Sequence, residues 1–289
     1  MSENRTTTSG GGLKICGIFL IILGVLLYAL LGGPDDNPAG LFGSIFGIFG
    51  LLMYFRGRRK AAQYKAADPN SPIHDSSPDV LYLRSFQTDA STTFKKLASG
   101  LTTEEEQLAD VLRPFGDMIA IGRPGESLPL PGATRIYATD AQWKNVVLDR
   151  MRLAPLVVIR AGTSTGLFWE FEQAFSNLHP ARIVIFVMNI TKRDYSTFAD
   201  QMRASFQLAM PHIETFSVLR VAINPRDNPT KVLPGFIRFS DDWSPEFLPL
   251  PSTIIQLGYN DSRKSFNLAL QPVFERHGVA WKPLGRFQA

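Results

Sequence analysis

The chain has 289 residues, of which 45% are hydrophobic and 19% charged, so it can bury a core and is not a disordered polymer. Its net charge is only +4. The surplus sits in one cluster, Arg56, Arg58, Arg59, Lys60 and Lys65, directly after an apolar run, so no nucleic-acid partner is expected. The one cysteine, Cys16, excludes an intrachain disulfide and a CxxC zinc site. His74, His179, His212 and His277 lie far apart without metal-ligand spacing, so no metal site is expected.

Residues 1–12 are small and polar, ending in glycines, and read as a disordered lead-in. Residues 13–55 hold two apolar runs, Ile15–Leu31 and Leu41–Phe55, joined by the turn Gly32–Gly40. Their length and apolarity predict a two-helix transmembrane hairpin. The basic residues that follow place both termini in the cytoplasm, as a multi-pass protein of the cell membrane with the lipid bilayer as partner. Absence of an A-x-A site argues against a cleaved signal peptide. Gly43-Ser-Ile-Phe-Gly47 is a GxxxG pattern, which suits packing within the hairpin or a homo-oligomer. Residues 56–78 are a basic segment and a proline-containing linker.

Residues 79–289 form one α/β domain of normal size. Strands are expected at Asp79–Phe86, Asp117–Gly122, Ala154–Arg160 and Ala181–Met188, while Ser217–Ile223 and Phe236–Phe239 compete to be the fifth. Helices are expected at Thr102–Phe115, with Thr102 or Thr103 as N-cap before Glu104, Glu105 and Glu106, and at Asp140–Leu153, Gly166–Phe175, Asp194–Met210 and Ser262–His277. Arg123–Tyr137 and Pro245–Pro251 read as loops. Strands separated by helices predict a flavodoxin-like, doubly wound parallel sheet.

The stretch Leu156–Phe175 has the strand–turn–helix form that offers a ligand site at the carboxyl edge of such a sheet. Glu170 and Glu172 are two positions apart, about 200° around a helix, so they cannot act as a pair. Trp169 can form a stacking wall for a planar base. Ser164 or Thr165 can cap the helix and leave backbone N–H groups for an anion. Arg123 after the second strand, and Arg84 with Ser85 after the first, stand where a phosphate or plain solvent would meet them. Gly162-Thr-Ser-Thr-Gly166 also fits G-x-S-x-G, which makes Ser164 a candidate nucleophile with Asp241 or Asp242 and His277. No GxGxxG or Walker motif is present.

The order Asp79–Phe86, Pro131-Gly132, Ala154–Gly162 and Gly166–Ala174 resembles a bacterial TIR domain over about Asp79–Met188. The family's Glu-apolar-Glu-x-Ala pattern falls on Glu170-Phe171-Glu172-Gln173-Ala174, so the resemblance implies Glu170 as the catalytic glutamate. It implies cleavage of the nicotinamide–ribose bond of NAD or a related nucleotide, as substrate rather than bound cofactor. Glu170 would stabilise the ribosyl cation, as carboxylates do in glycoside hydrolysis, and Trp169 and Arg123 would stack and anchor the nucleotide. A membrane-tethered, non-catalytic signalling or assembly module is the alternative on the same fold.

Overall fold

The computed structural model describes residues 10–31, 44–54, 79–85, 103–122, 132–139, 141–216, 230–251 and 263–284. The chain divides into two compact units. The first holds helices α1 (Gly10–Leu31) and α2 (44–54). α1 starts inside the segment expected to be disordered, because the glycines continue the helix set by the apolar run. The transmembrane hairpin is not upheld. Among the described residues, no helix is long and apolar enough to cross a membrane. The described part of α2 has about half of the roughly 20 residues a span requires. α1 reaches its length only by taking in Gly10–Gly12 and Lys14. With the spans falls the expected multi-pass localisation with both termini cytoplasmic.

Among the described residues, Gly47 of the GxxxG motif is not a point of close approach between the two helices. They approach at Gly17 and Gly50, where a Cβ on either residue would stand 2.7 Å from the other's carbonyl oxygen. A Cβ on Gly47 would meet nothing within 4 Å, and Gly43 lies outside the described residues. So do the basic cluster and linker at 56–78.

The second unit is an α/β domain. Its strands are β1 (Val80–Leu83), β2 (Met118–Gly122), β3 (Thr134–Tyr137), β4 (Val157–Arg160), β5 (Ile183–Val187), β6 (Thr215–Phe216), β7 (Lys231–Val232), β8 (Gly235–Phe239) and β9 (Pro245–Pro249). Its helices are α3 (Glu104–Leu112), α4 (Trp143–Leu153), α5 (Thr165–Asn177), α6 (Lys192–Phe206), α7 (Arg263–Ala269) and α8 (Gln271–Arg276). Seven strands make one sheet in the order β3-β2-β1-β4-β5-β8-β9, and β6 pairs with β7 apart from it. The first five run parallel. This mostly parallel sheet is compatible with a flavodoxin-like fold.

The sheet gains an unexpected strand at one end and departs from the expected all-parallel form at the other. The segment read as a loop to Tyr137 contains β3, paired in parallel with β2 from Ile119↔Thr134 to Gly122↔Tyr137. The fifth strand is β8, and it runs antiparallel to β5. The segment from Pro245 read as a loop is β9, antiparallel to β8. Prolines are tolerated there because an edge strand need not donate from every N–H. The alternative Ser217–Ile223 lies outside the described residues.

Strands β1, β4 and β5 are buried on both faces, which explains their continuous apolar runs. Alternate side chains divide between two cores. Leu81, Val157, Ile159 and Ile185 pack with Val147 and Met151 of α4, Phe171 of α5 and Phe198 of α6. Val80, Tyr82, Val158 and Phe186 pack with Leu108 of α3, Phe266 of α7 and Phe274 of α8. α3 is capped by Thr103, whose hydroxyl accepts from the Glu106 N–H while Glu106 accepts from the Thr103 N–H, a capping box.

Chain order also sets the crevice. β1 leads outward to β2 and β3, and the chain then returns to β4 on the other side of β1. The reversal leaves a crevice at the carboxyl ends of β1 and β4, where open α/β sheets bind ligands.

The Pro-Gly pair before β3 has a structural duty. Gly132 has φ +136°, and an added Cβ would lie 2.6 Å from the α3 backbone at Glu105 and Glu106. Gly132→Ala is expected to cost about 2 kcal/mol or more. Chemical denaturation checks this, and an unchanged midpoint would show that α3 and β3 do not depend on the contact.

Candidate functional site

Three glutamates open α3, and each has a different partner. Glu106 closes the capping box. Glu105, buried, meets Arg135 of β3 at 2.7 Å, with Arg84 after β1 at 3.6 Å, and its Oε1 accepts from the Ala133 N–H at 3.3 Å. Glu104 Oε2 is 3.6 Å from Arg160 at the end of β4, and its Oε1 accepts from Asn189 Nδ2 at 2.5 Å. The α3 N-terminus is thereby tied to the carboxyl ends of three elements of the sheet. Arg84, expected to meet a phosphate or plain solvent, is turned to Glu105.

The cleft beside this clamp has a volume of about 260 Å³. Its walls are Ser85 after β1, Arg160 to Ser164 after β4, and Met188 to Ile190 with Asp194 after β5. Two of the expected site residues, Ser85 and Ser164, meet here. Ser164 stands at the N-cap position of α5 but makes no side-chain cap bond, so its hydroxyl is not committed to the helix. Thr165 is the first residue of α5, exposed, and does not line the cleft. Arg123 lies outside the described residues.

Arg160, Asn189 and Asp194 were not among the expected site residues. Arg160 ends an otherwise apolar strand, and an arginine in that place is a legible signal of a polar strand end. Its Nη2 donates to the Met188 carbonyl at 3.1 Å and its guanidinium lies over the Phe186 ring. Burial opposes its charge, but Tyr82 and Glu104 beside it prevail and raise its pKa. Arg160 therefore stays a cation in the cleft wall. Asn189 takes a left-handed conformation, φ 55°, one that asparagine tolerates better than most residues. Its side chain bridges Glu104 to Lys231, whose Nζ donates to Asn189 Oδ1 at 3.1 Å.

Glu170 lies elsewhere. It is on α5 between Leu167 and Ala174 and is 7% exposed, and its Oε2 is buried with no hydrogen-bond partner. Burial raises its pKa from 4.5 to about 8. At neutral pH it is mostly a neutral acid, contrary to the expected standing carboxylate, because nothing nearby compensates the lost hydration. Glu172 is exposed, so helical geometry separates the two acids as expected. Trp169 is not a free stacking wall: its ring packs edge-on against Trp143 at 4.7 Å, with Lys144 over it. Neither Glu170 nor Trp169 lines the cleft.

The serine-nucleophile constellation does not assemble. Ser164 follows the carboxyl end of β4, which is parallel to β5. β8 is antiparallel to β5, so Asp241, after Phe239, emerges at the opposite edge of the sheet. There Asp241 pairs with Arg276, and His277 contacts the Ala181 carbonyl oxygen at 2.9 Å just before β5. Asp242 is held by Ser244 in the same turn. Among the described residues no group of His, Cys, Asp and Glu could hold a metal ion.

No protein-family model matches the chain. A search of curated proteins likewise finds no match.

The raised pKa of Glu170 carries a stability consequence. Between pH 4.5 and 8 the folded state holds a proton that the unfolded state has released, so stability falls with rising pH through that window. Glu170→Gln keeps the shape and removes the titration. Its stability advantage over the wild type is expected to grow, by on the order of a few kcal/mol, from pH 5 to pH 9. Denaturation at both pH values checks this, and an advantage that does not change with pH would contradict it.

Proposed function

We propose that the α/β domain binds a nucleotide through its phosphate in the cleft at the ends of β1 and β4. In the finer reading, it hydrolyses the N-glycosidic bond of NAD or a related nucleotide in the manner of bacterial TIR domains. The observation that carries the proposal is the cleft itself: polar, at the topological reversal, and walled by the cationic Arg160 and the small residues Gly162, Thr163 and Ser164. Backbone N–H groups at the start of α5 complement the guanidinium as partners for a phosphate.

The hydrolytic step falls to Glu170. It lies six residues beyond Ser164, about 9 Å along the helix at 1.5 Å per residue, within the reach of a dinucleotide anchored in the cleft. A buried carboxyl with a strongly shifted pKa is a frequent mark of a working residue. The cationic nicotinamide ring would lower that pKa on binding and restore the carboxylate. The carboxylate then opposes the positive charge that grows on the ribose as the bond to nicotinamide breaks. Nicotinamide leaves neutral, so the step needs no acid. Water completes the reaction at the ribose carbon.

A second reading, a non-catalytic signalling or assembly module, is favoured by the same residue: Glu170 is neutral in the free protein and outside the cleft wall. One assay separates the two. Nicotinamide release from NAD by concentrated protein is expected to increase about tenfold per pH unit up to pH 8 in kcat/KM. Glu170→Gln is expected to reduce it at least a hundredfold, on the order of the loss of a charge that acts in the transition state. Release that is absent from pH 6 to 9 would leave the non-catalytic module, and release unaffected by Glu170→Gln would remove Glu170 from the step.

A further inference from the structure

We propose that the cleft takes a phosphorylated ribose, and that Asp194 selects for the ribose hydroxyls. The inference rests on the nucleotide reading and narrows it to one part of the ligand. At about 260 Å³ the cleft is below the size of pockets that enclose a drug-sized molecule, so it holds a phosphoribosyl group and leaves a base or second nucleoside outside.

The walls differ in charge. Arg160, whose side chain is only 13% exposed, brings a fixed cation, while Asp194 in the first turn of α6 brings an anion. A phosphate is attracted by the first and repelled by the second. An ionised carboxylate only accepts hydrogen bonds, so a ligand group beside Asp194 must donate. The vicinal hydroxyls of ribose are such donors and are absent from a free phosphate. Asp194 Oδ2 already accepts from the Thr191 hydroxyl at 2.7 Å, while the Asp194 N–H donates to Thr191 Oγ1 at 3.1 Å. This exchange fixes the carboxylate at the end of α6 and leaves Oδ1 without a bond among the described residues.

Helix capping alone is the competing role for Asp194, and Thr191→Val separates the two. It breaks the same cap while retaining the charge and acceptor oxygens of Asp194. Isothermal titration of the full chain with ADP, 2′,3′-dideoxy-ADP and pyrophosphate reads the selection. ADP is expected to bind about tenfold more tightly than the dideoxy analogue, the scale of a hydrogen bond to a charged group. Asp194→Ala should bring the two within about twofold without weakening pyrophosphate binding, and Thr191→Val should keep the preference. Equal binding of ADP and its dideoxy analogue, or a preference that survives Asp194→Ala, would overturn the role of Asp194 while leaving the phosphate site standing. Failure of all three ligands to bind would overturn the nucleotide reading and this inference with it.

Discussion

The domain depends on the clamp between the acidic start of α3 and the arginines at the strand ends. Glu105 is held by Arg135 and Arg84, and Glu104 by Arg160 and Asn189. Buried charges are costly unless paired, so removing one partner strands the other at a cost of about 3–5 kcal/mol. Such a pair is weak as a source of net stability but strong as a specification of where α3 must sit. Gly132 completes the arrangement by letting the chain before β3 touch the α3 backbone.

The clamp also determines what the crevice can do. It draws Arg84 away from the ligand side and leaves Arg160 as the cation of the cleft wall. Asn189, in its left-handed turn, links Glu104 to Lys231, so the loops after β4 and β5 share one polar network. Glu170 belongs to a different environment, buried on α5 with its Oε2 lacking a hydrogen-bond partner. The phosphate cleft and the candidate catalytic acid are thus two places on one helix, one wet and one dry.

Much of this was legible in the sequence. Buried strands announce themselves by continuous apolar runs, so β1, β2, β4 and β5 were found with bounds within three residues. The capping pattern from Thr103 to Glu106 likewise marks the start of α3. The failures have physical causes. β3 is four residues, Thr-Arg-Ile-Tyr, beside a Pro-Gly pair, and carries too little apolar periodicity to read as a strand. β9 begins and ends in proline, and β8 and β9 form a hairpin whose turn contains Trp243 at φ 66° rather than a glycine. For the site, sequence order could place Ser85 and Ser164 at strand ends but could not show that Arg84 would be taken by Glu105. Ion pairs between distant segments have no local signature. The first apolar runs were over-read: their composition suggested spans, and no described helix is both long and apolar enough.

Whether the cleft is a ligand site is tested most directly by backbone amide shifts of isotopically labelled protein titrated with ADP. Binding at the crevice predicts the largest saturable changes at Ser85, Gly162, Thr163, Ser164 and Asn189. Changes absent from those residues, or concentrated at Trp143 and Trp169, would contradict it.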